Sequence, residues 1–175
     1  MLQIIIGGDS AGANLALSII SAALHSHEGV PRLHLETPLK GVLLICPWVT
    51  YETGAASHTE NREQDVIPIA NLNTMATDYR SHSHNDEDPF FAPLVADHSW
   101  WQGAPVSMIL SLAGEEEIFR DDILELGKSL EQGGAAIKTV VCKEQIHIEA
   151  ILDSMSGLEH GPMSTEIWEW LSQHL

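Results

Sequence analysis

Ser10 stands between Gly8 and Gly12 in the stretch Gly8-Asp9-Ser10-Ala11-Gly12, after the apolar run 2–6 and before a helical stretch that starts at Ala13. A serine at the tip of a sharp strand-to-helix turn is held in a strained backbone conformation that exposes its hydroxyl, so this spacing predicts a nucleophile elbow. The glycines two residues either side are expected to let strand and helix pass closely. Free N–H groups and the positive dipole end at the start of that helix favour a developing negative charge, which makes the Ala11 N–H an oxyanion donor.

A nucleophilic serine needs a base to accept its proton and an acid to orient that base, and after such an elbow they follow in the order acid, then histidine. The apolar run 106–112 leads into a loop containing Glu115, Glu116, Glu117, Asp121 and Asp122, and the run 137–142 leads into a loop ending at His147. Both loops leave the carboxyl ends of strands, where such sites form. His147 is the candidate base. Residue types alone leave the acid open among Glu117, Glu116 and Asp121.

The elements that must position these groups alternate. Strands are predicted near 2–7, 41–46, 105–112 and 136–142, and helices near 12–26, 67–80, 121–133 and 164–174. That rhythm implies an α/β fold with a mostly parallel sheet of about four strands flanked by helices. The stretch 51–103 is longer than an ordinary connection and is expected to be an excursion over the active-site edge. Trp100 and Trp101, at its end, are expected to pack rather than to meet substrate.

Several of these segments carry a family resemblance. Gly8 to Gly12 followed by Ala13-Asn14-Leu15-Ala16-Leu17 resembles the hormone-sensitive-lipase-like branch of the α/β-hydrolases, whose members are esterases and acetyl-hydrolases. Cys46-Pro47-Trp48-Val49 is similar to that branch's strand-end Pro-Trp segment, and 88–94 to its Ser-Pro-x-x-Ala-Pro-Leu stretch. Glu117-Ile118-Phe119-Arg120-Asp121 aligns with the branch's Asp-Pro-Leu-Arg-Asp, so the resemblance places the acid on Glu117, 30 residues before His147. Glutamate stands where aspartate is commoner, and either carboxylate can hold the imidazole tautomer.

The resemblance covers nearly the whole chain, but the branch's His-Gly-Gly-Gly loop, which supplies further oxyanion donors upstream of the elbow, has no counterpart. It therefore implies a single, incomplete domain over 1–175, the C-terminal part of an α/β-hydrolase fold. The strand carrying Ser10, central in the family, is expected to have one open edge. The implied activity is carboxylic-ester hydrolysis through Ser10, His147 and Glu117 without a cofactor, on a small or lipid-like ester. Alternatives are acyl transfer through the same acyl-enzyme, an inactive remnant, or a binding protein of the same fold like the plant gibberellin receptors; the latter have lost the triad histidine, which His147 opposes.

Composition closes other routes. The chain of 175 residues has a formal charge of −17 and eight Lys and Arg residues, too few for the basic patches that phosphate backbones or anionic lipids require. No apolar stretch approaches the about 20 residues that span a bilayer, and the opening is too short for a signal core, which points to the cytoplasm if Met1 is the true start. Oligomeric state is left open. Cys46 and Cys142 are expected to be buried thiols rather than a disulfide. The pairs His25/His27 and His82/His84 lack an i, i+4 helical spacing and an organised third ligand, so no metal site is expected.

Overall fold

The computed structural model describes residues 3–80 and 87–175; the His82/His84 pair lies outside them. Four parallel strands, β1 (Ile5–Asp9), β2 (Gly41–Ile45), β3 (Ile109–Gly114) and β4 (Ile137–Cys142), form one sheet in that order. The helices are α1 (Ala11–Leu24), α2 (Ala56–Glu60), α3 (Ile69–Arg80), α4 (Arg120–Gln132), α5 (Glu149–Ser156) and α6 (Pro162–His174).

Alternation along the buried strands sends side chains to opposite faces. Val42, Leu44 and Ile109 meet Leu17 and Ile20 of α1 and Leu126 and Leu130 of α4. Leu43, Ile45, Leu110 and Leu112 meet Ala150 of α5 and Met163 and Trp170 of α6. The result is a sheet with α1 and α4 on one face and α5 and α6 on the other. A third cluster lies at the carboxyl edge, where Leu72 and Ala76 of α3 pack with Trp48, Ile118 and Phe119.

The sequence places β1 about two residues early. Ladder pairing begins at Ile5, opposite Gly41, and continues to Asp9, opposite Ile45, so Gly8 and Asp9 belong to the strand. The helix α5 was not expected. Its eight residues are too few to show a clear 3.6-residue period, and its end is marked by Gly157 in the left-handed conformation (φ 67°). The short α2 was missed for the same reason, and α6 starts two residues early at Pro162, which suits a first helical position.

Within the long excursion, α2 and the turn after it dock on the loop that follows β3. Trp101 is fully buried in the core beside α1 and α4. Trp100 stacks on His25 with ring centroids 3.7 Å apart and donates its indole N–H to Ser21 Oγ at 3.1 Å. Both tryptophans therefore pack, as expected.

Candidate active site

Ser10 ends β1 and caps α1 with φ 51° and ψ −117°, a region that non-glycine residues rarely occupy. The turn is pinned on both sides: the Ser10 N–H donates to Ile45 O (2.9 Å), and the Ser10 carbonyl accepts from the N–H groups of Asn14 and Trp48 (both 3.2 Å). Asn14 is itself buried and donates to Trp48 O and Phe91 O, both at 2.8 Å. Ala11 opens α1, and no described residue accepts its N–H, which leaves that donor free for a ligand.

The two elbow glycines are not equivalent. A Cβ on Gly8 would lie 2.3 Å from both the carbonyl carbon and oxygen of Gly12, whereas a Cβ on Gly12 would meet nothing nearer than Asp9 Oδ1 at 4.0 Å. Close passage of strand and helix thus requires Gly8 alone. The expectation that Gly12 serves the same purpose does not hold for its own side-chain space.

Glu117 lies three residues beyond the end of β3 and His147 five beyond the end of β4, on adjacent strands. Both are buried, at 0% and 2% exposure. Glu117 Oε1 stands 3.4 Å from His147 Nδ1, and Glu117 Oε2 accepts the Gly114 N–H at 2.6 Å, which orients the carboxylate. Phe119 meets the imidazole edge-on at 5.3 Å. Ile148, in the left-handed region (φ 49°), turns the chain from His147 into α5.

Of the competing acids, Asp121 is engaged elsewhere. Asp121 accepts from the Ser57 N–H (2.9 Å) and from Arg120 Nε (2.9 Å), and Glu116 is only half-buried, its N–H donating to Gln145 O. Among the described residues no hydrogen bond joins Ser10 Oγ to His147.

Two features of the site were not foreseen. The first is Cys46, whose Sγ accepts the Ile148 N–H at 3.3 Å and lies with Glu117 and His147 in a cluster whose ligand atoms are within 4.8 Å of one another. Burial, reinforced by the Glu117 carboxylate, pushes the Cys46 thiol well above its usual range. A thiol kept protonated beside a carboxylate and imidazole that face each other at 3.4 Å is a poor starting point for a metal, which needs thiolate. Cys142 is also free, its thiol pushed up to about 12 by burial, and β3 separates β4, which carries it, from β2, which Cys46 follows. The His25/His27 pair diverges, His25 Nε2 to Trp100 O and His27 Nε2 to Asp88 Oδ2.

The second is the segment 57–65, which grips the acid loop. Ser57 Oγ donates to Ile118 O (2.7 Å), Asn61 Nδ2 donates to Glu115 O (3.1 Å) and Glu117 O (2.8 Å), and Asp65 Oδ2 accepts the Ile118 N–H (2.8 Å). Polar residues 53 to 61 positions distant in sequence give no periodic signal, so only the folded chain reveals them.

Comparison with known proteins agrees with the fold. The alpha/beta hydrolase fold family matches residues 1–150. A Schizosaccharomyces pombe protein named as a steryl acetyl hydrolase is 30% identical over 173 residues, 93% of this chain and 44% of that protein. An acetyl-hydrolase of Streptomyces hygroscopicus is 25% identical over 147 residues, 83% of this chain and 44% of that protein. The chain thus spans about half the length of the curated relatives it matches.

Among solved structures, an esterase from the bacterial hormone-sensitive lipase family superposes with a TM-score of 0.78 at 25% identity, covering 98% of this chain and 53% of that one. A thermostable esterase from Pseudomonas putida shares the fold, with a TM-score of 0.71 at 22% identity over 87% of this chain and 44% of that one. With its parallel sheet, its elbow after β1 and a family match over most of its length, the chain belongs to the alpha/beta hydrolase fold family.

Proposed function

We propose that the chain carries the nucleophile, base and acid of a carboxylic-ester hydrolase acting on esters of short acyl groups, acetyl among them. The observation that carries this reading is the buried Glu117–His147 pair, on loops leaving the same sheet edge as the strained Ser10 turn. In this reading Ser10 Oγ attacks the ester carbonyl while His147 Nε2 accepts its proton. Glu117 holds the Nδ1–H tautomer and stabilises the imidazolium. The Ala11 N–H faces the oxyanion, His147 returns the proton to the leaving alcohol, and water attacks the acyl-Ser10 ester in the second half of the cycle. The names of the relatives support the acetyl preference.

One observation favours a second reading, a non-catalytic chain of the same fold: the hydrogen-bond series stops at His147 and does not reach Ser10 Oγ. Catalytic hydrogen bonds are often long without substrate and tighten in the complex, which weighs for the first. The test is turnover of p-nitrophenyl acetate by the full chain beside Ser10→Ala. The hydrolase reading expects a serine-dependent rate that falls by about 10³-fold or more in the variant. A folded chain whose rate is the same with and without Ser10 would establish the non-catalytic reading. Added alcohols separate acyl transfer, which would give a new ester as product.

A further inference from the structure

Asp65 reaches both loops that carry the acid–base pair. Its Oδ2 accepts the N–H of Ile118, the residue after Glu117, at 2.8 Å, and its Oδ1 accepts the N–H of His147 itself at 3.1 Å. Oδ1 also accepts the Val66 N–H at 2.7 Å. The carboxylate is aimed by a turn in which the N–H groups of Gln64 and Asp65 donate to Asn61 O at 3.1 and 3.0 Å, and Asn61 is anchored on the acid loop through Glu115 O and Glu117 O. Other links between the loops exist, Glu116 N–H to Gln145 O (2.9 Å) and Glu144 N–H to Glu115 Oε2 (3.0 Å), but they lie on the near side of the pair. Among the described residues, no other side chain bonds to both the backbone following the acid and that of the histidine.

From this arrangement we infer that Asp65 is a positioning residue for the Glu117–His147 pair, a role that rests on the esterase reading for its effect on rate. The acid-to-imidazole contact of 3.4 Å is at the long end for an N–H···O bond, so a shift of a few tenths of an ångström in either loop decides whether it forms. One carboxylate accepting from both backbones fixes that separation. Bonds to an ionised acceptor are roughly twice as strong as neutral ones, which suits a clamp between two loops.

The test uses the full chain with Asp65→Ala, the isosteric Asp65→Asn and Asp65→Glu, read in two ways. Long-range 1H–15N NMR reports the tautomer of His147, and steady-state kinetics report kcat and KM. The expected result is the Nδ1–H tautomer in the unaltered chain and in Ser10→Ala, but growth of the Nε2–H tautomer in Asp65→Ala. The same variant is expected to lose about 10- to 100-fold in kcat at unchanged KM. Asp65→Asn keeps one acceptor oxygen and is expected to fall between; it stands in if Asp65→Ala does not fold. Asp65→Glu is expected to recover part of the loss.

A His147 that keeps the same tautomer and kcat in Asp65→Ala, or that is Nε2–H in the unaltered chain, would overturn the inference. Absence of any Ser10-dependent turnover would instead fail the esterase reading. The tautomer of the variants would then decide the role of Asp65 by itself.

Discussion

Ser10 owes its geometry to what surrounds it rather than to any preference of serine. A residue with φ 51° persists only where neighbouring bonds over-determine it, and here Ile45, Asn14 and Trp48 do so. The glycines of the turn separate cleanly by the space each needs. Gly8→Ala drives a Cβ into the Gly12 carbonyl and is expected to cost about 3 kcal/mol, the upper range for overpacking. Gly12→Ala enters open space at a helical position and is expected to be neutral or stabilising by up to about 1 kcal/mol. Urea denaturation of the two variants checks both signs; equal destabilisation would mean that strand and helix are held apart by something other than Gly8. The choice of acid is also a residue-scale matter. Glu117 is fully buried, faces His147 and has the Gly114 N–H to orient it, whereas Asp121 is held by Arg120 and Glu116 is only half-buried.

At the scale of elements, the segment 57–65 acts as a brace on the acid loop mainly through hydrogen bonds, with the His58 ring meeting Phe119 edge-on at 6.0 Å. Asn61 is buried at 7% exposure, and its amide serves two carbonyls of that loop. Asn61→Ala leaves both without this donor and is expected to lower stability by about 1–3 kcal/mol, measured by urea denaturation. A loss below about 0.5 kcal/mol would show that water replaces the amide at no cost. The brace occupies part of the long connection between β2 and β3. Strand and helix periods could not announce it, because its contacts are made by single polar side chains in turns. Of the helices, α1, α3, α4 and α6 were readable from their length and pattern, while α2 and α5 are too short to display one.

At the scale of the whole molecule, sheet edge and net charge pull in opposite directions. Among the described residues β1 has a neighbour on one side only. Beside it, Ile4 is 45% exposed and Leu15 of α1 58% exposed. Leu15 and Ile19 also border an apolar cleft of about 470 Å³ with Val30, Leu33, Phe90 and Phe91. An open strand edge with apolar surface alongside favours association, and a net charge of −17 opposes it. Screening should decide between them. Sedimentation velocity is expected to show self-association rising as salt is increased to about 0.5 M, where screening lengths are a few ångströms, and falling again in Leu15→Glu. A chain that remains monomeric at every salt concentration would mean that the edge is protected. Among the described residues no helix is long and apolar enough to cross a membrane.

The sequence by itself determined the parallel α/β rhythm, the elbow at Ser10 and the two strand-end loops that bear carboxylates and His147. Each of these rests on local properties: apolar runs, glycine spacing and the order of residues along the chain. Tertiary structure decided how Glu117, which the family resemblance had already placed as the acid, meets the imidazole, which elbow glycine is sterically required, that Cys46 lies against Glu117, and that Asp65 joins both loops. Apart from the glycine clash, between residues four apart, those outcomes bring together residues 30 to 82 positions apart in sequence. The register of four strands and the path of one long connection set such distances, and no local pattern encodes them.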